Sequence, residues 1–114
     1  MGGMMADERK EYSYARVELK GRLGSDLDLR YTPTGKAMAS ANVAIKKMVK
    51  GEATTEWYGV VVWGEKAEEL AGQDFRKGQT VIVRGNLSLN EWKGQDGEVR
   101  RQLQVSVTEI SKEA

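Results

Sequence analysis

Apolar residues alternate with polar ones along most of this chain, and a period of two is the signature of half-buried β-strands. In the first such run Val17, Leu19, Gly21 and Leu23 point one way, and Arg16, Glu18, Lys20 and Arg22 point the other. The pattern resumes at Ala37, Ala39, Ala41, Val43 and Ile45, whose small residues predict a tightly curved sheet or a close neighbour. A third strand is expected over Thr55 to Trp63, rich in aromatic and β-branched residues. Val81, Val83, Gly85, Leu87 and Leu89 alternate through a fourth, and Leu103, Val105 and Val107 line a fifth. One segment breaks the period. Between Gly64 and Gln73, Ala67, Leu70 and Ala71 fall on one helical face among Glu65, Lys66, Glu68 and Glu69, and Gly72 closes the helix.

The punctuation between these runs sets their order. Gly24 to Gly35 contains the only proline, Pro33, among turn-forming residues and reads as a loop. Lys47 to Thr54 reads as a flexible connection and Lys77-Gly78 as a turn, while Gly94 to Gly97 is a hairpin tip with an Asp-Gly signal. Residues 1–13, without periodicity, are expected to be a flexible arm; 14–111 form the folded domain and 112–114 a short end. Three strands, a short helix between strands 3 and 4, then two more strands make an all-β chain. That order is the OB-fold arrangement, a five-stranded partly open barrel.

Composition removes most chemistry. There is no histidine, hence neither the commonest general base nor the commonest transition-metal ligand, and no cysteine for thiolate sites or disulfides. Ser25, Ser40, Ser88 and Ser106 have no histidine to activate them. Asp26 and Asp28 form a D-x-D without the glycine-spaced acidic loop of a calcium site, and read as carboxylates capping turns. Gly21 to Gly24 lacks the Gly-Lys-Ser/Thr ending of a phosphate loop. No enzymatic activity, metal or cofactor is expected. No apolar run approaches the ~20 residues that span a bilayer, and Met1 to Lys10 has no apolar h-region. A cytoplasmic, nucleoid-associated location without membrane contact is the expectation.

The net charge is only +1, which leaves room for a local basic groove on a balanced surface. The chain has three tryptophans, at 57, 63 and 92. Trp57 and Trp63 share one face of their strand with Gly59 and Val61, while Tyr58, Val60 and Val62 occupy the other. Tryptophans ordinarily pack inside. Here the valine face can supply the core and free the tryptophan face, and Trp92 sits near a hairpin tip beside Asn90, Lys93 and Gly94. Exposed aromatics of this kind stack nucleobases, at about 1–3 kcal/mol per base. Lys46, Lys47 and Lys50 surround Met48 in the second-to-third connection, and Arg22, Arg30 and Lys36 flank the first.

Several segments are recognisable as they stand: Gly21-Arg22-Leu23-Gly24-Ser25-Asp26, Leu29-Arg30-Tyr31-Thr32-Pro33-Thr34-Gly35, Thr55-Glu56-Trp57-Tyr58-Gly59-Val60-Val61-Val62-Trp63-Gly64 and Val81-Ile82-Val83-Arg84-Gly85-Asn86-Leu87. With Trp92 and Asp96-Gly97 beyond them, the chain from about Tyr14 to Ile110 resembles the bacterial single-stranded DNA-binding protein family. The resemblance implies sequence-nonspecific binding and protection of single-stranded DNA during replication, recombination and repair. It places Trp57, Trp63 and Trp92 at base-stacking positions, with Trp63 where a phenylalanine is common, and matches Arg30 and Tyr31 to an Arg-Tyr pair. Lys46, Lys47, Lys50 and Arg22 are the expected phosphate contacts beside them. A homo-oligomer is implied, a tetramer before a dimer, and the charges at Arg16, Glu18, Lys20 and Arg22 offer pairs across a two-fold axis.

The sequence departs from the family pattern in three places. A stacking tryptophan found in many members is replaced near Met48 and Val49, and Tyr58 stands where many have a histidine near the subunit contact. The chain given stops at Glu113-Ala114 without an acidic, phenylalanine-tipped tail, so recruitment of replication and repair proteins by that route has no support. Two alternatives stay open at this point: a primosomal-type accessory protein that binds DNA weakly, and a binder of single-stranded RNA.

Overall fold

The computed structural model describes residues 13–113, so the expected N-terminal arm lies outside the described residues except for Ser13. Six strands and one helix follow in the order β1 (Arg16–Leu23), β2 (Asp28–Tyr31), β3 (Ala37–Val49), β4 (Glu52–Trp63), α1 (Glu65–Ala71), β5 (Thr80–Lys93) and β6 (Val99–Lys112). β1 pairs antiparallel with β5, β5 with β6, and β3 with β4; β6 runs parallel to β4. The ring closes where β3 returns to β1 through Arg22↔Ala44 and Leu23↔Val43. These five strands form the OB barrel, with β2 added on the outer edge of β3.

Two expectations need correction. The stretch 24–35 is not all loop, because Asp28 to Tyr31 pair with Ser40 to Ala37. Four residues of sequence Asp-Leu-Arg-Tyr are too short to display a period, and only Leu29 among them packs on the core. Counting every strand, the helix therefore lies between the fourth and fifth; counting barrel strands alone, it lies between the third and fourth. Lys47 to Thr54 is likewise no loose connection. The β3–β4 ladder continues to Val49↔Glu52, and the turn is made by Lys50 and Gly51 at φ 51° and 82°. Positive φ at both central residues matches the right-handed twist of a two-residue hairpin.

The core is built from the apolar half of each alternation. Leu19 and Leu23 of β1, Val43 of β3, Val60 and Val62 of β4, Val81 and Val83 of β5, and Val105 of β6 are all buried in it. Each such side chain contributes about 1.5–3 kcal/mol relative to leaving it exposed. The alanines of β3 have a separate purpose. With Ala37 and Ala39 nearly inaccessible, α1 packs directly against β3 and inserts Ala67 and Leu70, joined by Phe75, into the core. At Gly21 a Cβ would run into the Ala44 carbonyl, so glycine lets β1 cross β3 and close the barrel.

Candidate nucleic-acid interface

Residues paired directly across antiparallel strands share a face of the sheet, and the register turns one face of β2, β3, β4 and β6 into ordered rows. Arg30, Met38 and Trp63 form one row; Asp28, Ser40, Val61 and Ser106 the next; Asn42, Gly59 and Gln104 the third. Ala44, Trp57 and Arg22 follow, and Lys46 lies opposite Thr55 beyond them. The opposite face of β4 carries Tyr58, Val60 and Val62 into the core. The valines therefore supply the interior, and the tryptophans stay outside: Trp57 is 52% exposed, Trp63 42% and Trp92 43%.

Between Trp57 and Trp63, six residues apart on one strand and so roughly 20 Å along it, runs an open groove of about 900 Å³. Its floor is polar, with Ser40, Asn42, Gln102 and Gln104 around Gly59, and Asp26, Asp28 and Lys77 also line it. The Gln102 amide donates to Asn42 Oδ1 at 3.1 Å, and a Cβ on Gly59 would stand 3.2 Å from the Gln102 side chain. A second trough of about 740 Å³ brings Trp57 together with Trp92, Arg100 and Gln102. Gln102 lines both, so groove and trough make one path that runs from Trp57 and Trp92 to Met38, the strand partner of Trp63. Trp57 is seated against the barrel: a Cβ on Gly24 would lie 2.5 Å from its ring.

The expected cations divide between two faces. Arg22 and Arg30 stand in the tryptophan rows, and Lys46 lies on the same face in the row beyond Trp57. Lys47 lies on the other side of its strand and pairs with Glu56 at 3.0 Å. Glu56 also accepts the Tyr58 hydroxyl at 3.2 Å, and these partners, Lys47 first, hold its carboxyl below the ordinary range. Lys50 occupies the hairpin tip. Tyr31 pairs with the buried Ala37 rather than with the groove residues. It donates its hydroxyl to Glu68 of α1 at 3.0 Å, which raises the phenol above its usual range. Asp26 accepts the Lys77 backbone N–H at 2.8 Å, a turn-capping role, and Asp28 pairs with Arg30 at 2.7 Å.

Three features of the path were not read from the sequence. Arg100 lies directly across the hairpin from Trp92, the Asn42–Gln102 amide pair forms the floor, and Lys36, read from the sequence only as a cation flanking the first connection, holds its ammonium 4.9 Å from the Trp63 ring centroid. The Asp96-Gly97 turn signal does not find Arg100, because a two-residue turn there would set Arg101 opposite Trp92.

A closed OB barrel with an aromatic, cation-bordered groove on its outer face defines a class of proteins that bind single-stranded nucleic acid. The family model described as the single-strand binding protein family matches residues 14–112. The chain belongs to that family, whose members bind single-stranded DNA and are not enzymes.

Proposed function

We propose that the chain binds single-stranded DNA without reading its sequence, by stacking bases on Trp57, Trp63 and Trp92 and contacting phosphates through Arg22, Arg30, Lys36, Lys46 and Arg100. The observation that carries this is the common face of three tryptophans, each more than two-fifths exposed. Large aromatics left in water are expected to meet a ligand, and bases offer a π-face whatever their identity. The amide floor fits the same reading, since each amide has both donors and acceptors and can serve any base edge. In this reading Lys47 and Tyr31 brace the β3–β4 hairpin and α1 rather than touching DNA, and Lys50 reaches the strand only from the hairpin tip.

The role is protection of exposed strands in replication, recombination and repair, in the cytoplasm. Members of the family typically oligomerise, and a tetramer is proposed here. Glu18 pairs with Arg84 and Lys20 with Glu113 at 2.7 Å within the chain, so those charges of β1 are already engaged. Leu89, Val99 and Leu103, at 56%, 55% and 40% exposure, offer an apolar contact on the other side of the β5–β6 hairpin from Trp92. Light scattering at micromolar concentration tests this; a mass near 12.7 kDa would mean a monomer.

Titration of intrinsic tryptophan fluorescence with oligo-dT, a matched RNA and a matched duplex tests the main reading. Quenching by oligo-dT with weak duplex binding is expected. Absence of quenching by oligo-dT would overturn it, and tighter binding to RNA would reassign the ligand.

A further inference from the structure

The aromatic path has carboxylates on it, which a surface made only to attract a polyanion would not need. Arg30, in the row of Trp63, is held by Asp28 at 2.7 Å. Arg100, opposite Trp92, is held by Asp96 at 2.9 Å. Arg22 and Lys46, near Trp57, have no carboxylate within ion-pairing distance among the described residues. We infer that Asp28 and Asp96 are exchangeable counter-ions: a phosphate of the bound strand takes each arginine, and the carboxylate is released to water. The inference rests on the proposed function and adds a device that tunes its affinity and salt response.

Three observations support exchange rather than fixed pairing. The side chains of both pairs are open to solvent, 73% and 53% exposed for Arg30 and Asp28, 54% and 51% for Arg100 and Asp96, and pairs of this kind are weak enough for a phosphate to replace. Arg100 lies directly opposite Trp92, and Arg30 shares the row of Trp63 with Met38 between them, so a strand stacked on either tryptophan brings a phosphate within reach of its arginine. Finally, Asp96 is secured without its arginine, because its Oδ1 accepts the Glu98 N–H at 3.0 Å while Oδ2 meets Arg100. The carboxylate can lose its partner and leave the turn intact.

Exchange has a signature that plain attraction lacks. A cation that meets DNA from a free state releases counter-ions from the strand and adds about 0.7 to the magnitude of the salt slope. A cation that first leaves its own carboxylate adds little, because the bared carboxylate recruits a cation from solution as the DNA sheds one.

The test uses Asp28→Asn and Asp96→Asn in the full chain, titrated with oligo-dT across a salt series, with thermal melting to check folding. Asparagine keeps the Oδ1 acceptor that the turn at 96 uses and removes only the charge. Each variant should bind about two- to fivefold tighter near 50 mM salt, with a slope steeper by about 0.7. In Arg100→Gln the Asp96→Asn change should lose its effect. Glu109→Gln, an equal change of charge beside Arg84 and away from the tryptophan rows, should leave the slope where it was. Unchanged slopes, or weaker binding in both asparagine variants, would overturn the exchange and make the carboxylates holders of the arginines. A wild-type chain that does not bind oligo-dT would instead overturn the functional reading itself.

Discussion

The two long hairpins that border the groove solve the same task in opposite ways. The β3–β4 hairpin carries its tryptophan at the root, where Trp57 is seated against Gly24, and its groove-facing Lys46 has no carboxylate partner among the described residues. The β5–β6 hairpin carries Trp92 one residue from the end of its strand, and both nearby arginines are paired, Arg100 with Asp96 and Arg101 with Glu91 at 2.8 Å. One arm has a fixed aromatic and a ready charge. The other has an aromatic near its tip and a charge that must be released. Pre-organised groups lose less entropy on binding, so the first arm should contribute more affinity and the second more response to conditions.

The largest effect should come from the aromatics, and they should not be equal. Trp57→Ala should cost about 2–3 kcal/mol of binding to oligo-dT, and Trp92→Ala about 1–2 kcal/mol, within the range for a stacked base. Fluorescence titration or anisotropy, with melting curves to confirm folding, measures both. A greater loss at Trp92 would break the ranking of the two arms, and no loss at either would remove stacking altogether.

A smaller change isolates the seat of Trp57 from its ring. Gly24 has no positive φ, so alanine is tolerated by the backbone, yet the added Cβ meets the ring edge at 2.5 Å. The ring must swing out. Gly24→Ala should therefore weaken binding by about 1 kcal/mol, part of one stacking contact, with little change in melting temperature. Unaltered affinity would mean that Trp57 needs no seat and that the distinction between the arms lies elsewhere.

The parts legible in the sequence are those with a local period. Alternation at Val17 to Leu23 and Ala37 to Ile45 placed the barrel strands, and the valine-against-tryptophan split of β4 put Trp57 and Trp63 outside, as the burial pattern bears out. What was not legible depends on partners distant in sequence. β2 exists because β3 offers it an edge, and its four residues carry no period of their own. Lys46 and Lys47 look alike in a run of basic residues, yet the ladder continuing to Val49↔Glu52 turns them to opposite faces. Register decides Arg100 as well. A two-residue turn centred on Asp96-Gly97 would pair Trp92 with Arg101. The actual tip spans Gly94 to Glu98, closed by the Gly94 N–H on the Glu98 carbonyl at 2.8 Å, and pairs Trp92 with Arg100. A slip of one residue exchanges the faces.

That division of the lysines is open to a direct check within the first arm. Lys46→Ala should lower the magnitude of the salt slope by about 0.7 and weaken binding about threefold at moderate salt. Lys47→Ala, whose ammonium is engaged by Glu56 on the other side of the strand, should leave the slope nearly unchanged. The slope from a salt series of Kd values separates the two. Equal effects would show that the hairpin twists or opens on binding and presents both lysines to the strand.

The smallest expected effect lies at the hairpin tips, and it concerns stability before affinity. Lys50 adopts φ 51°, a left-handed conformation that side chains other than Asn, Asp and Gly enter at a cost. The other tip places Gly97 at its positive φ of 83°, so no such cost arises there. Asparagine is the favoured first residue of a type I′ turn. Lys50→Asn should therefore stabilise the fold by about 0.5 kcal/mol, which for a domain of this size raises Tm by roughly 2–4 °C. Gly97→Asn, with nothing to relieve, should leave Tm unchanged or lower it. Binding should fall in Lys50→Asn by no more than one phosphate contact, since the lysine stands at the end of the arm, beyond Trp57 and Lys46. A lower Tm in Lys50→Asn would mean that the lysine is held at the tip by an interaction stronger than its backbone cost. The first arm would then be the more finely adjusted of the two at its end as well as at its root.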